Sequence, residues 1–288
     1  MFYANLALVG AVQGLLLATI ALSVTLCFSV ARFSNAATGD LMTVGAYSLV
    51  LAQSTLGAPL AVGIMLAMLS VCVISLASYW FIFRRLSTSK PIMALIASVG
   101  LAFLLRGIVS FFAGHGQYAI EYPIRRALVF YGLRIVPIDI WISLAAVILL
   151  GAVFCILYLT QTGLHVRALA DNRDLARTSG IKTKRVMTVL WTVVGIVTAL
   201  GGVMIGMKTI VTPEMGWNLL LPGFAAAVLG GLGNPIGAVV AAILLGISSE
   251  MITPFVGFVY KTAFSYAVLM VILVIRPEGI FGRVEQVR

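Results

Sequence analysis

Runs of about twenty apolar residues recur along almost the whole chain, at about 6–31, 33–52, 57–83, 92–113, 140–159, 187–206, 218–232, 236–252 and 258–275. A helix of roughly 20 such residues matches the hydrocarbon core of a bilayer, about 30 Å thick. Repetition of that element leaves few other folds open to a chain of 288 residues. Composition agrees, because 61% of the residues are hydrophobic, 10% are charged and the mean hydropathy is +1.12. So little polar surface cannot cover a water-soluble globule. The predicted fold class is therefore all-α, a polytopic integral membrane protein with eight or nine transmembrane helices, some short or broken, in one domain over residues 1–288.

The formal charge of +10 does not point to nucleic acid, because the basic residues lie between the apolar runs, as they do in the cytoplasmic loops of membrane proteins. By the same rule "RRLSTSK" (84–90), the interval 162–186 and the tail "RPEGIFGRVEQVR" (276–288) are expected on the cytoplasmic side. Nine crossings make these agree, with the N-terminus outside. Residues 114–139, which carry Glu121, Arg125, Arg126, Arg134 and Asp139, then form an external loop. The first basic residue is Arg32, so the N-terminus lacks the charged region of a signal peptide and the first apolar run is expected to be retained. Cys27, Cys72 and Cys155 lie singly in apolar stretches and read as small buried hydrophobes, with no disulfide or metal site implied.

Six of the 19 basic residues fall within "TGLHVRALADNRDLARTSGIKTKRV" (162–186). Spacing predicts one short helix from Arg167 to Ser179, with Ala168, Leu169, Asn172, Leu175 and Ala176 on one side and Arg167, Arg173, Asp174 and Arg177 largely on the others. It is too polar to span a bilayer. Gly180 supplies the C-terminal stop, and Lys182, Lys184 and Arg185 lead into the next crossing. Topology anchoring accounts for Lys182 to Arg185. A capped amphipathic helix with a small-residue face asks in addition for something to pack against.

Two segments make poor ordinary spans. Residues 31–53 carry Asn35, Thr38, Gly39 and Asp40 in their first half, and residues 219–250 are interrupted by Gly230, Gly231, Gly233, Asn234 and Pro235. Irregular backbone at membrane depth survives only where protein or a water-filled cavity surrounds it. Asn35, Thr38, Asp40, Gly230, Gly231, Gly233 and Asn234 are thus candidates for lining a solute route. The alternatives are helix capping by Asn35 and Asp40, and a tight turn between two short helices at the Gly-Asn-Pro cluster. Arg106, a further candidate for the route, lies inside an apolar run, where an ionisable side chain faces a cavity or pairs, with Asp40 or Glu250 as partners, or snorkels to the interface. Glu250 either caps or pairs.

Enzymatic chemistry has little to stand on. His115 and His165 are isolated from any nucleophile or acid, and "GGLGNP" lacks the Lys-Ser/Thr ending of a phosphate-binding loop, so the chain is not expected to hydrolyse ATP itself.

The pattern "RALADNRDLARTSGIKTKRV" resembles the cytoplasmic loop of branched-chain amino acid ABC permeases of the LivH type, related to the wider "EAA" loop in which Ala and Gly stand four apart, as Ala176 and Gly180 do. "SNAATGDLMTVGAYS" (34–48) is similar to that family's N-terminal "NFAHGE…GAY" region, with Asp40 in place of Glu and Thr38 where His is common. Residues 94–114, 224–250 and 265–283 resemble further family segments in the same order, and Arg106 departs from the uncharged polar residue expected there. The resemblance implies a permease subunit of an importer in the bacterial inner membrane, with the C-terminus cytoplasmic. Arg167, Ala168, Leu169, Asp171, Asn172, Arg173, Leu175, Ala176, Arg177 and Gly180 would form the coupling loop that docks on an ATP-hydrolysing subunit. It also implies a second permease (LivM-like or a second copy), a periplasmic substrate-binding protein, and no cofactor on this chain, ATP being bound by the partner. Permeases for urea and amides share these patterns, and an ion-coupled secondary transporter is the other class with broken helices.

Overall fold

A computed structural model describes residues 2–86, 91–114, 116–122, 128–130, 133–276 and 279–282. Residues 87–90, His115, Arg125, Arg126 and tail residues 277, 278 and 283–288, all named above, lie outside the described residues. The helices are α1 (Phe2–Ala31), α2 (Ala37–Leu56), α3 (Leu60–Ser78), α4 (Arg84–Leu86), α5 (Pro91–Ala113), α6 (Pro137–Leu159), α7 (Gln161–Asp171), α8 (Arg173–Thr178), α9 (Thr183–Lys208), α10 (Met215–Gly230), α11 (Pro235–Val256) and α12 (Lys261–Ile275). A π-helical turn, Tyr79–Phe83, joins α3 to α4 without a break.

Among the described residues six helices are long and apolar enough to cross a membrane: α1, the α3–α4 rod Leu60–Leu86, α5, α6, α9 and α11. The shorter apolar helices α10 and α12 and the more polar α2 pack among them. The chain is thus an all-α polytopic membrane protein. One departure is local. The predicted external loop contains a two-stranded antiparallel hairpin, β1 (Leu128–Phe130) and β2 (Leu133–Ile135), because strand pairing within the loop satisfies its own backbone groups.

α1 forms the axis of the bundle. It has 30 residues, about 45 Å at 1.5 Å per residue, and nearly all of its second half is buried. α9, α10 and α11 enclose it, while α3, α5, α6 and α12 lie at the periphery with much of their apolar surface outward. Lipid is as apolar as those side chains, so exposure there costs little. The same reasoning corrects Cys155, expected to be buried but found on an outward face of α6, whereas Cys27 is buried and Cys72 partly so.

Between helices in lipid the attraction is contact rather than water exclusion, and small residues allow the backbones to approach. A Cβ on Gly14 would stand 2.7 Å from the Ile243 backbone, which is how α11 lies directly against α1. A Cβ on Gly202 of α9 would run into the carbonyl of Met42 on α2. Two buried hydroxyls find acceptors on the helices: Thr19 Oγ1 donates to the Leu16 carbonyl at 2.7 Å, and Ser75 Oγ reaches across to the Trp191 carbonyl at 2.8 Å.

One end of the bundle gathers the interhelical connections. Phe33, beyond α1, stacks on Phe83 (5.0 Å between ring centres), and Phe83 stacks on Trp191 near the start of α9 (4.8 Å). Arg32 Nη2 donates to the Ala170 carbonyl of α7 at 2.6 Å, and Asn234 Nδ2 to the Phe281 carbonyl at 3.1 Å. The loop 160–182, the α10–α11 turn and the start of the tail therefore share one end. At the other end Lys208 Nζ pairs with Asp139 Oδ1 at 3.0 Å.

Two packed helix backbones cannot move apart cheaply, so Gly202→Val is expected to cost about 3 kcal/mol. The thermal midpoint of the detergent-solubilised protein should fall by several degrees. Gly100→Ala, with nothing within 4 Å of the added methyl, should leave it unchanged or slightly higher.

Candidate functional site

The loop that carries the basic cluster is built by three caps. Thr160, with extended backbone, ends α6 and starts α7, its Oγ1 accepting from the Gly163 N–H at 3.2 Å. α7 is amphipathic and turns Val166 and Leu169 into the bundle. At Asn172 the chain leaves helical geometry (φ −147°, ψ 109°), and its Oδ1 accepts from the N–H groups of Asp174 (3.1 Å) and Leu175 (3.0 Å). Asparagine at this place is worth more as the cap of a new helix than as a residue inside one. The single helix expected over 167–179 is therefore two helices.

The break redirects the side chains. Ala176 packs inward and Ala168 is half-buried, but Leu175, expected on the same side, is 64% exposed. Asp171, Asn172, Asp174, Arg167 and Arg177 are exposed too, and Arg173 is half-buried. The Arg167 guanidinium lies over the Tyr158 ring at 5.1 Å. Gly180, at φ +84°, ends α8 as expected: its N–H donates to Arg177 and that of Ile181 to Ala176, the paired bonds of a left-handed helix stop. The result is a polar, projecting surface with two uncovered leucines, Leu164 and Leu175.

Arg32 ties this surface to the transmembrane helices. It takes a left-handed backbone (φ 60°), which costs a non-glycine residue about 1 kcal/mol. That geometry turns the chain from α1 toward α2 while the side chain reaches the last turn of α7. The C-terminal carbonyls of a helix are the favourable end for a cation.

Beyond this turn lie the polar residues of the 31–53 segment. Asn35, Thr38 and Asp40 are all buried. Asn35 Oδ1 accepts from the Ala37 N–H at 3.1 Å, and Thr38 Oγ1 donates to the Asn35 carbonyl at 2.8 Å, so these two organise the start of α2. Asp40 bonds across to α5 instead. Arg106 Nε donates to Asp40 Oδ1 at 3.1 Å and Nη2 to Oδ2 at 3.2 Å, a two-pronged pair. The guanidinium stands 4.7 Å from the ring centre of Trp217 on α10 and 5.3 Å from that of Phe103. Glu250, inside α11, pairs with Lys261 at the start of α12.

Gly230, Gly231, Gly233 and Asn234 are not brought to that pair. They form a tight turn between α10 and α11, in which Asn234 Oδ1 caps α11 by accepting from Gly237 N–H at 3.1 Å. Gly231 and Gly233 both have positive φ, 93° and 94°. The tail closes on the turn, with Ile280 N–H donating to the Leu229 carbonyl at 2.7 Å. A cleft of about 930 Å³ separates this turn from α7, lined among others by Arg32, Arg167, Asp171, Asn234 and Phe281. A second cavity, of about 500 Å³ between α3, α6 and α9, is lined by apolar side chains such as Ile64, Trp141 and Met204 and holds none of the sequence-predicted site residues.

Residues 6–275 match the family model described as branched-chain amino acid transport system / permease component. The chain belongs to this permease family. It is 27% identical to the high-affinity branched-chain amino acid transport system permease protein LivH of Escherichia coli (strain K12), over 96% of this chain and 94% of that protein. It is 24% identical to the corresponding permease BraD of Pseudomonas aeruginosa, with the same coverage of both. Among solved structures, PsaBC from Streptococcus pneumoniae in complex with Fab matches with a TM-score of 0.54 at 12% identity, over 96% of this chain and 93% of that chain, a likeness of fold.

Within this permease, sequence reasoning missed several contributors. Thr160 ahead of Gly163 carries the ordinary signature of a helix start, and Asn172 ahead of Asp174 carries a second one, so both breaks were readable as caps. Arg32, Phe103 and Trp217 gave no local signal, because their roles exist only once distant helices meet. Replacing Asn172 by Ala removes the α8 cap at a cost of about 1 kcal/mol. Amide hydrogen exchange at Asp174 and Leu175 should quicken about fivefold, with the transmembrane helices unchanged.

Proposed function

We propose that this chain is the membrane-spanning permease subunit of an ABC importer that carries branched-chain or related amino acids across the bacterial inner membrane. ATP is bound and hydrolysed on a separate subunit. The observation that carries the reading is the projecting α7–α8 surface, where Leu175 and Arg177 stand uncovered at the end that gathers the interhelical connections. An uncovered leucine among mixed charges suits a cleft on a soluble partner, and the basic residues of this end favour the cytoplasmic side. The C-terminus is then cytoplasmic as well, since the tail shares that end.

The geometry suggests how work reaches the solute. When the motor subunits close on ATP they displace α7–α8. Val166, Leu169 and the Arg32 bond to Ala170 pass the displacement to the connection between α1 and α2. From there it reaches Asn35, Thr38 and Asp40, the residues expected to border the route. A second permease, LivM-like or another copy, completes the channel, and a periplasmic substrate-binding protein delivers the amino acid. An ion-coupled mechanism is less well served, because Asp40 and Glu250 are each paired with a cation rather than free to bind one. LivH and BraD, named for branched-chain amino acids, favour that substrate class over urea or amides.

Proteoliposomes holding the chain with its ATPase subunits, second permease and binding protein should accumulate leucine when ATP is present on the α7–α8 side. A proton or sodium gradient alone should drive none, and gradient-driven uptake without ATP would contradict the assignment. The double variant Leu175→Asp/Arg177→Glu should lower retention of the ATPase subunits on co-purification at least tenfold; wild-type retention and uptake would remove the docking role.

A further inference from the structure

We infer that Arg106 is a binding station for the carboxylate of the transported amino acid, on a face made by α2, α5 and α10; this rests on the permease reading above. Arg106 is deep in α5, seven residues before its end at Ala113, which places it about 10 Å inside that helix end. It does not snorkel. Its guanidinium is turned sideways onto Asp40, which is 1% exposed, while Arg106 itself keeps 15% of its side-chain surface open.

The hydrogen bonds use one edge of the fork, Nε and one N–H of Nη2. Among the described residues nothing bonds to Nη1, so the second edge, Nη1 with the remaining Nη2 N–H, is free to take two oxygens of another carboxylate. Such an edge cannot face lipid at this depth, where a cation unsupported by water or protein is costly. Yet the neighbouring outward side chain Phe103 is 56% exposed, so this chain does not close the face alone. A solute route shared with the second permease satisfies both observations.

The surroundings select the solute. Trp217 and Phe103 flank the guanidinium with aromatic faces, giving an apolar wall beside a cationic edge. A zwitterionic amino acid with an aliphatic side chain offers both a carboxylate for the edge and hydrocarbon for the rings. Urea and simple amides offer no anion. Asp40 holds the guanidinium in orientation and keeps the resting pair neutral, so that a bound carboxylate is gripped by hydrogen bonds yet released as the helices move.

The complete importer in proteoliposomes provides the test. Arg106→Gln alone strands Asp40 without its partner and risks misfolding. The decisive variant is therefore Asp40→Asn/Arg106→Gln, which removes both charges together. We expect it to assemble with the second permease and to retain the ATPase subunits. Leucine delivered per ATP hydrolysed should fall at least tenfold. A merely structural pair would leave that ratio intact, so wild-type delivery by the double variant overturns the inference. So does loss of the second permease from the purified complex, which would make the pair a subunit contact. Failure of the wild-type assembly to import leucine with ATP would instead defeat the permease reading beneath it.

Discussion

Hydrocarbon gives an N–H, a hydroxyl or a carboxylate nothing to bond to, so each polar group carried to membrane depth must bring its partner with it. The Asp40–Arg106 pair is where this constraint bears hardest. Removing one member leaves an uncompensated charge, a loss of about 3–5 kcal/mol in buried pairs generally. The bond also links α5 at depth to α2, the helix it chiefly packs against. Glu250 with Lys261 does the same for α11 and α12. Buried Thr19, Ser23 and Ser75 turn back onto carbonyls of their own or a neighbouring helix, whereas Thr25 Oγ1, Asn35 Nδ2 and Trp191 Nε1 find no partner among the described residues.

Where polar partners are absent, contact does the holding. α1 is enclosed because glycines let α11 lie on it backbone to backbone, and α9 meets α2 at Gly202 in the same way. Such close backbone contacts hold the paired helices together as units. The softer elements collect at one end: the left-handed turn at Arg32, the break at Asn172 and the glycine turn before α11. A force applied to α7–α8 meets a direct link to the α1–α2 connection, the Arg32 bond, alongside the apolar contacts of Val166 and Leu169. The polar start of α2 lies immediately beyond.

Much of this was legible in the chain itself. Runs of twenty apolar residues dictate helices in lipid whatever their neighbours are, and the observed helices fall within a few residues of the expected ones. Pairing of Arg106 with Asp40 could be anticipated as one of few ways to keep a guanidinium in a span. The loop was harder. Periodicity read across Asn172 as though it were an interior position, because the same residue type serves a helix surface and a cap, and only the competition between its side chain and the backbone decides. The Gly-Asn-Pro cluster was equally ambiguous: the turn takes positive φ at Gly231 and Gly233, and the tail segment laid over it comes from nearly fifty positions away. Aromatic walls such as Trp217 beside Arg106 depend wholly on tertiary approach.

The account turns on α7–α8 being a docking surface for a nucleotide-driven subunit, and the most direct measurement is site-specific cross-linking in intact membranes. A photoreactive amino acid in place of Leu175 should give one dominant adduct with the ATPase subunit, altered in yield when nucleotide is added. An adduct with a periplasmic protein, or with lipid alone while the ATPase is present, would contradict it.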